Sequence, residues 1–75
     1  MRRPFPANDL QLRGAVRTSL VRDAALNPFG IHFQVRDGVV TLTGNVSSEQ
    51  YRQRAELDAY AAGALAVDNQ LLVRR

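Results

Sequence analysis

Apolar side chains along this chain change period twice, and the changes mark out its elements. Leu12, Val16 and Leu20 recur at i, i+4 and i+8, the spacing that lines one face of a helix, and Ala24 continues the line. Asp9, or Asn8 before it, is placed to cap that helix. The breakers Asn27-Pro28-Phe29-Gly30 end it, so the pattern predicts a helix over residues 9–25. From Ile31 the period becomes two: Ile31, Phe33 and Val35 alternate with His32, Gln34 and Arg36, as in a half-buried strand. Asp37-Gly38 suits a type I′ turn, in which both residues take positive φ. The β-branched run from Gly38 to Val46 then reads as a returning strand between two glycine turns. The hairpin predicts Val35 opposite Val40, Phe33 opposite Leu42 and Ile31 opposite Gly44 on the core face. His32, Gln34 and Arg36 should face Thr43, Thr41 and Val39 on the other.

Ser47, with Gln50 three residues on, has the form of a capping box for a second helix. Its inward face is small, Tyr51 then Ala55, Ala59 and Ala62, and Gly63 ends it. Val67, Leu71 and Val73 alternate as a third strand, with Ala66, Asp68, Gln70 and Leu72 on the opposite face. Asn69 falls on the inward parity, where an amide is expected to bond to backbone at a helix or strand end. A helix joining the second and third strands makes a crossover, which favours parallel pairing with a right-handed connection. The predicted fold is therefore α+β, in the order αββαβ. It has a three-stranded mixed sheet (order 1-2-3, strand 2 central), with two helices packed on one face and a largely polar sheet face left open.

Seventy-five residues allow one domain with a small core. The absence of cysteine rules out disulfides and thiolate metal sites. Ten basic against seven acidic residues give a net charge of +3, but Arg2, Arg3, Arg74 and Arg75 all lie at the ends. Without those four the body carries six basic against seven acidic side chains, so the basicity belongs to the tails. Residues 1–8, with Pro4 and Pro6, read as a flexible arm, residues 9–73 as a single domain and residues 74–75 as a tail. No run approaches the roughly 20 apolar residues of a membrane span. Met1-Arg2-Arg3-Pro4 has the charged opening of a signal peptide without the apolar stretch that follows one, which leaves a cytoplasmic protein or one whose targeting segment has been removed.

Chemistry-bearing residues are sparse. His32 is the single histidine and is expected on the open sheet face beside Thr43, as a solvated side chain rather than a metal ligand. Ser47, Ser48 and the scattered aspartates form no pattern of an activated nucleophile, and no glycine loop for phosphate is present, which points away from an enzyme and calls for no cofactor. Nucleic-acid binding is disfavoured by the slightly acidic body and the lack of an aromatic pair on the open sheet face. Arg13 and Arg17, with Leu10 and Val21 on the same helix, read either as the solvated border of an amphipathic helix or as a contact patch for an anionic bilayer surface. The helix start at Ser47 and Ser48 offers backbone donors to a phosphate, but Glu49 competes in the same turn.

Asp9 followed by Leu12, Val16 and Leu20; Ile31, Phe33 and Val35; Gly38, Val40, Leu42, Gly44 and Val46; and Gly63, Val67, Asn69, Leu71 and Val73 together resemble the BON domain, the module named for bacterial OsmY and nodulation proteins. The resemblance spans residues 9–73. Ala64 departs from it, standing where the family usually has valine, which leaves a smaller group at the entry to the third strand. The resemblance implies a non-catalytic αββαβ module of periplasmic or cell-envelope proteins, concerned with osmotic stress, secretion or envelope maintenance and weakly associated with phospholipid surfaces. It also leaves open a protein-interaction or assembly module within a larger chain, or a small-ion-binding domain, for which no oxygen cage can be named in this sequence. The isolated domain is expected to be a monomer.

Overall fold

The computed structural model describes residues 9–26 and 29–74. Its elements are α1 (Asp9–Arg22), β1 (His32–Arg36), β2 (Val39–Thr43), β3 (Asn45–Val46), α2 (Glu49–Ala61), β4 (Ala66–Asn69) and β5 (Leu72–Val73). Strands β1, β2 and β4 form a sheet in that order, β2 central, antiparallel to β1 and parallel to β4. The expected α+β class and the mixed sheet are therefore what the chain adopts. The hairpin register also agrees, with Val35 facing Val40, Phe33 facing Leu42 and His32 facing Thr43. Asp37 and Gly38 take φ of 52° and 83°, as the turn requires. Ile31 lies just outside the paired residues.

The core is built where the two helices meet one face of this sheet. Leu12, Val16 and Leu20 of α1, Val40 and Leu42 of β2, Val46, Ala55 and Ala59 of α2, and Leu71 are buried together, with Phe33, Val35 and Val67 packed against them. The opposite sheet face is exposed and mostly polar: His32, Gln34, Arg36, Thr43 and Asp68 all reach solvent. Ala55 and Ala59 have no side-chain bulk to hold helix and sheet apart, so α2 lies close to the strands.

Four local expectations are corrected. First, α1 stops at Arg22 rather than at residue 25, because the Asp23 carboxylate accepts the Ala25 N–H at 3.1 Å and draws the chain out of the helix. Ala24 is consequently exposed and Leu26, 2 % exposed, takes the core position. Second, the cap of α2 is Ser48, not Ser47: its Oγ accepts the Tyr51 N–H, so Gln50 is not at the position a capping box needs. Pairing of β3 as far as Val46 delays helix entry by that one residue. Third, Asp9 does not turn its carboxylate on its own helix; both oxygens reach the hairpin, accepting N–H groups of Asp37 at 2.7 Å and Gly38 at 3.0 Å. The alternative cap, Asn8, lies outside the described residues, as do the arm at residues 1–8 and Arg75.

Fourth, the expected second and third strands are each two short ones, β2 and β3 parting at Gly44 and β4 and β5 at Gln70 and Leu71. The register does not slip between them: Leu42 faces Asn69 and, three residues further along each strand, Asn45 faces Leu72. Backbone bonds bridge the gap, from Gln70 N to Leu42 O at 2.8 Å and from Leu72 N to Gly44 O at 2.9 Å. The interruption has two causes. Gly44, at φ 123°, passes so close to the loop before β1 that a Cβ there would sit 2.6 Å from the Gly30 carbonyl oxygen. Opposite it, Asn69 Oδ1 takes the Leu71 N–H at 3.2 Å. The same Asn69 donates through Nδ2 to the Arg52 carbonyl at 2.8 Å and to Glu56 at 3.2 Å, while the Arg52 guanidinium returns bonds to the carbonyls of Asn69 and Leu71. The inward amide is thus structural, as its parity predicts, and fastens α2 to the broken strand.

Candidate anion-binding groove

β1 is an edge strand, and α1 runs beside it across the sheet, leaving a groove between the two. The groove has a volume of about 400 Å³ and is lined by Arg13, Arg17, Leu20, Val21, Ile31, His32 and Phe33. At one end it meets a shallow apolar depression walled by Leu26 and Phe29. At the other lies a second depression formed by Asp9, Leu10, Arg13 and Val35. Helical spacing explains the wall: Leu10, Arg13, Arg17 and Val21 succeed one another at three or four residues and so share one flank of α1. All four are exposed, Leu10 by 70 % and Val21 by 60 %.

The structure therefore brings the four sequence-predicted residues onto one continuous strip. It adds His32, expected only on the open sheet face, which stands at the groove's far wall because β1 has no strand neighbour on that side among the described residues. Among the described residues no carboxylate lines the main groove. Asp9, in the adjoining depression, is held by the two N–H groups of the hairpin turn. Two guanidinium groups on an apolar floor, without a competing acid, form a surface that attracts anions and tolerates alkyl groups.

Other candidates are weaker. At the start of α2, Ser48 Oγ already takes the Tyr51 N–H, and Glu49 pairs with Arg52 at 3.0 Å and accepts from Gln53. A depression along α2 between Arg52, Gln53, Glu56, Leu57 and Tyr60 exposes apolar surface but carries charge of both signs. Among the described residues no group of three or more His, Cys, Asp or Glu side chains is placed to hold a metal ion. No helix among them is long and apolar enough to cross a membrane.

A strongly perturbed acid pair sits away from the groove, where the end of α1 meets α2. Asp23 Oδ2 receives Arg54 Nε at 2.6 Å, which holds the Asp23 carboxyl below its ordinary range. Burial, and then the neighbouring Asp23, push Asp58 up to about 6, and its Oδ2 is buried without a hydrogen-bond partner. Nothing in the sequence pattern singles out this pair, because Asp23 follows α1 and Asp58 lies 35 residues on, within α2.

Comparison with known families decides the lineage: the BON domain matches residues 8–75, nearly the whole chain. This chain belongs to the BON domain family. A search of curated proteins finds no match. BON domains are non-catalytic binding modules regarded as phospholipid-binding, and the proteins that carry them are typically periplasmic or envelope-associated.

Proposed function

We propose that this domain is a non-catalytic cell-envelope module that docks weakly on anionic phospholipid surfaces through α1. The observation that supports this reading is the strip Leu10, Arg13, Arg17 and Val21: two exposed guanidinium groups with an exposed apolar side chain at each end, beside a groove that no carboxylate among the described residues lines. At a headgroup layer each such cation contributes about 1 kcal/mol, and apolar side chains at the same depth add burial. Contact of that size is weak and salt-sensitive, fitting a module that works attached to other domains or in several copies. The basic residues at the chain ends, Arg2, Arg3, Arg74 and Arg75, add long-range attraction.

The test is co-sedimentation with vesicles of phosphatidylglycerol and phosphatidylcholine, compared with pure phosphatidylcholine at low and moderate salt. Binding only to the anionic vesicles, reduced at least tenfold by combined Arg13→Glu and Arg17→Glu, is expected. Equal binding to both vesicle types, or no binding to either, removes the reading.

A further inference from the structure

We infer that the outer edge of β1 accepts an added strand from an acidic, extended peptide segment of a protein partner, at the same groove but by a different chemistry from the lipid contact. Hairpin geometry carries the first step. In a two-residue hairpin the residues flanking the turn exchange both N–H···O bonds, and the bonded pairs then recur at every second position. Arg36 and Val39 flank the turn here, so Arg36, Gln34 and His32 direct their backbone groups to β2. The N–H and C=O of Phe33 and Val35 consequently point to the outer edge, where β1 has no strand neighbour among the described residues. A row of such groups beside a groove is the arrangement that receives a peptide by strand addition.

Charge selects the occupant. Side chains of an added strand alternate between the two faces of the sheet. On the helix side they would meet Arg13 and Arg17, and on the open side His32 and Arg36, all exposed. Acidic residues therefore find donors on either face, those on the helix side at Arg13 and Arg17. A second copy of this chain is a poor occupant. Antiparallel pairing of β1 with itself about Gln34 would set His32 against Arg36 and bring two pairs of helix arginines together.

The experiment is an NMR titration of the full isotope-labelled chain with a seven-residue, end-blocked peptide alternating glutamate and valine. The control is the same peptide N-methylated at every residue, which keeps the charge but cannot donate to a strand. Expected are downfield shifts of the Phe33 and Val35 amide protons, affinity at least tenfold weaker for the methylated peptide, and a comparable loss with Arg13→Glu combined with Arg17→Glu. Equal affinity for both peptides, shifts confined to α1, or no shift at millimolar peptide overturns the inference. So does the same β1 response to phosphatidylglycerol micelles, which would give the edge to headgroups. The vesicle experiment contains no peptide, so either proposal can fail without the other.

Discussion

Asp9 and Gly38 stand 29 positions apart in the chain and are joined by a 3.0 Å hydrogen bond from the Gly38 N–H to the Asp9 carboxylate. The other Asp9 oxygen holds the Asp37 N–H at 2.7 Å. One side chain thereby sets the start of α1 against the hairpin tip and fixes the upper end of the groove. Gly38 is buried, so removing its acceptor leaves a donor with no ready access to water. Asp9→Ala is expected to cost about 2 kcal/mol, the scale of hydrogen bonds to a charged acceptor, and to shift the Asp37 and Gly38 amide resonances. Urea unfolding measures the first effect, and a change under about 0.5 kcal/mol, the level of an ordinary surface substitution, contradicts the assignment.

Asn69 and Arg52 close a second long-range junction, with bonds running in both directions between them. Asn69→Asp keeps the shape but loses the donor to the Arg52 carbonyl and places a negative charge against Glu56. Both Asn69→Ala and Asn69→Asp should therefore destabilise, by about 1 kcal/mol for an unsatisfied, part-buried partner, with Asp offering no rescue. A fully stable Asp variant in thermal melts would show that the amide donor is dispensable.

The Asp23 and Asp58 pair predicts an unusual pH dependence. Asp58 is raised, so its protonated form favours the fold. That contribution is complete below about 3.8 and is lost as pH rises through about 6. Asp23 is lowered, so its contribution is present above about 3.8 and is lost as pH falls through its depressed value. Stability should peak in mildly acid solution and decline toward neutrality. Because Asp58 is partly exposed, solvent screening keeps the effect to about 1 kcal/mol, or about 4–8 °C in Tm. Asp58→Asn should flatten the decline between pH 5 and pH 7.5 and raise Tm at the upper end. A melting curve series that is equally steep in wild type and variant would rule this out.

Two glycines with positive φ give a graded comparison. A Cβ at Gly38 would meet the side chain of Leu65, at 2.6 Å from Cδ1, and that side chain can turn aside. At Gly44 the obstruction is the Gly30 carbonyl oxygen, which belongs to the backbone and cannot. Gly44→Ala is expected to be the worse substitution by about 1 kcal/mol or more, since local backbone strain of this kind costs on the order of 1–3 kcal/mol. Parallel denaturant titrations of the two variants decide it.

Much of the fold was legible because it is periodic. Leu12, Val16 and Leu20 announce α1, the alternation from Ile31 announces β1, and Asp37-Gly38 fixes the register between Phe33 and Leu42. What escaped is local competition for single N–H groups. Asp23 takes the Ala25 N–H just past α1 and Asn69 takes the Leu71 N–H just before β5, and each moves an element boundary without disturbing hydrophobic spacing. The candidate site was half legible for a related reason. Helical spacing places Leu10, Arg13, Arg17 and Val21 on one flank, whereas His32 joins them only through the position of β1 at the sheet edge.

That edge position also sets how the molecule breathes. Val40 and Leu42 belong to a strand with neighbours on both sides and are fully buried, so their amides become accessible to solvent deuterium only when the whole domain opens. β1 is bonded along one side and can detach while β2, β4 and both helices persist. Its hydrogen exchange should therefore be faster than that of β2 and follow a local rather than a global free energy. The segment that walls the groove is thus an edge of the sheet that can be remodelled without the central strand, and whatever occupies the groove should slow its exchange first.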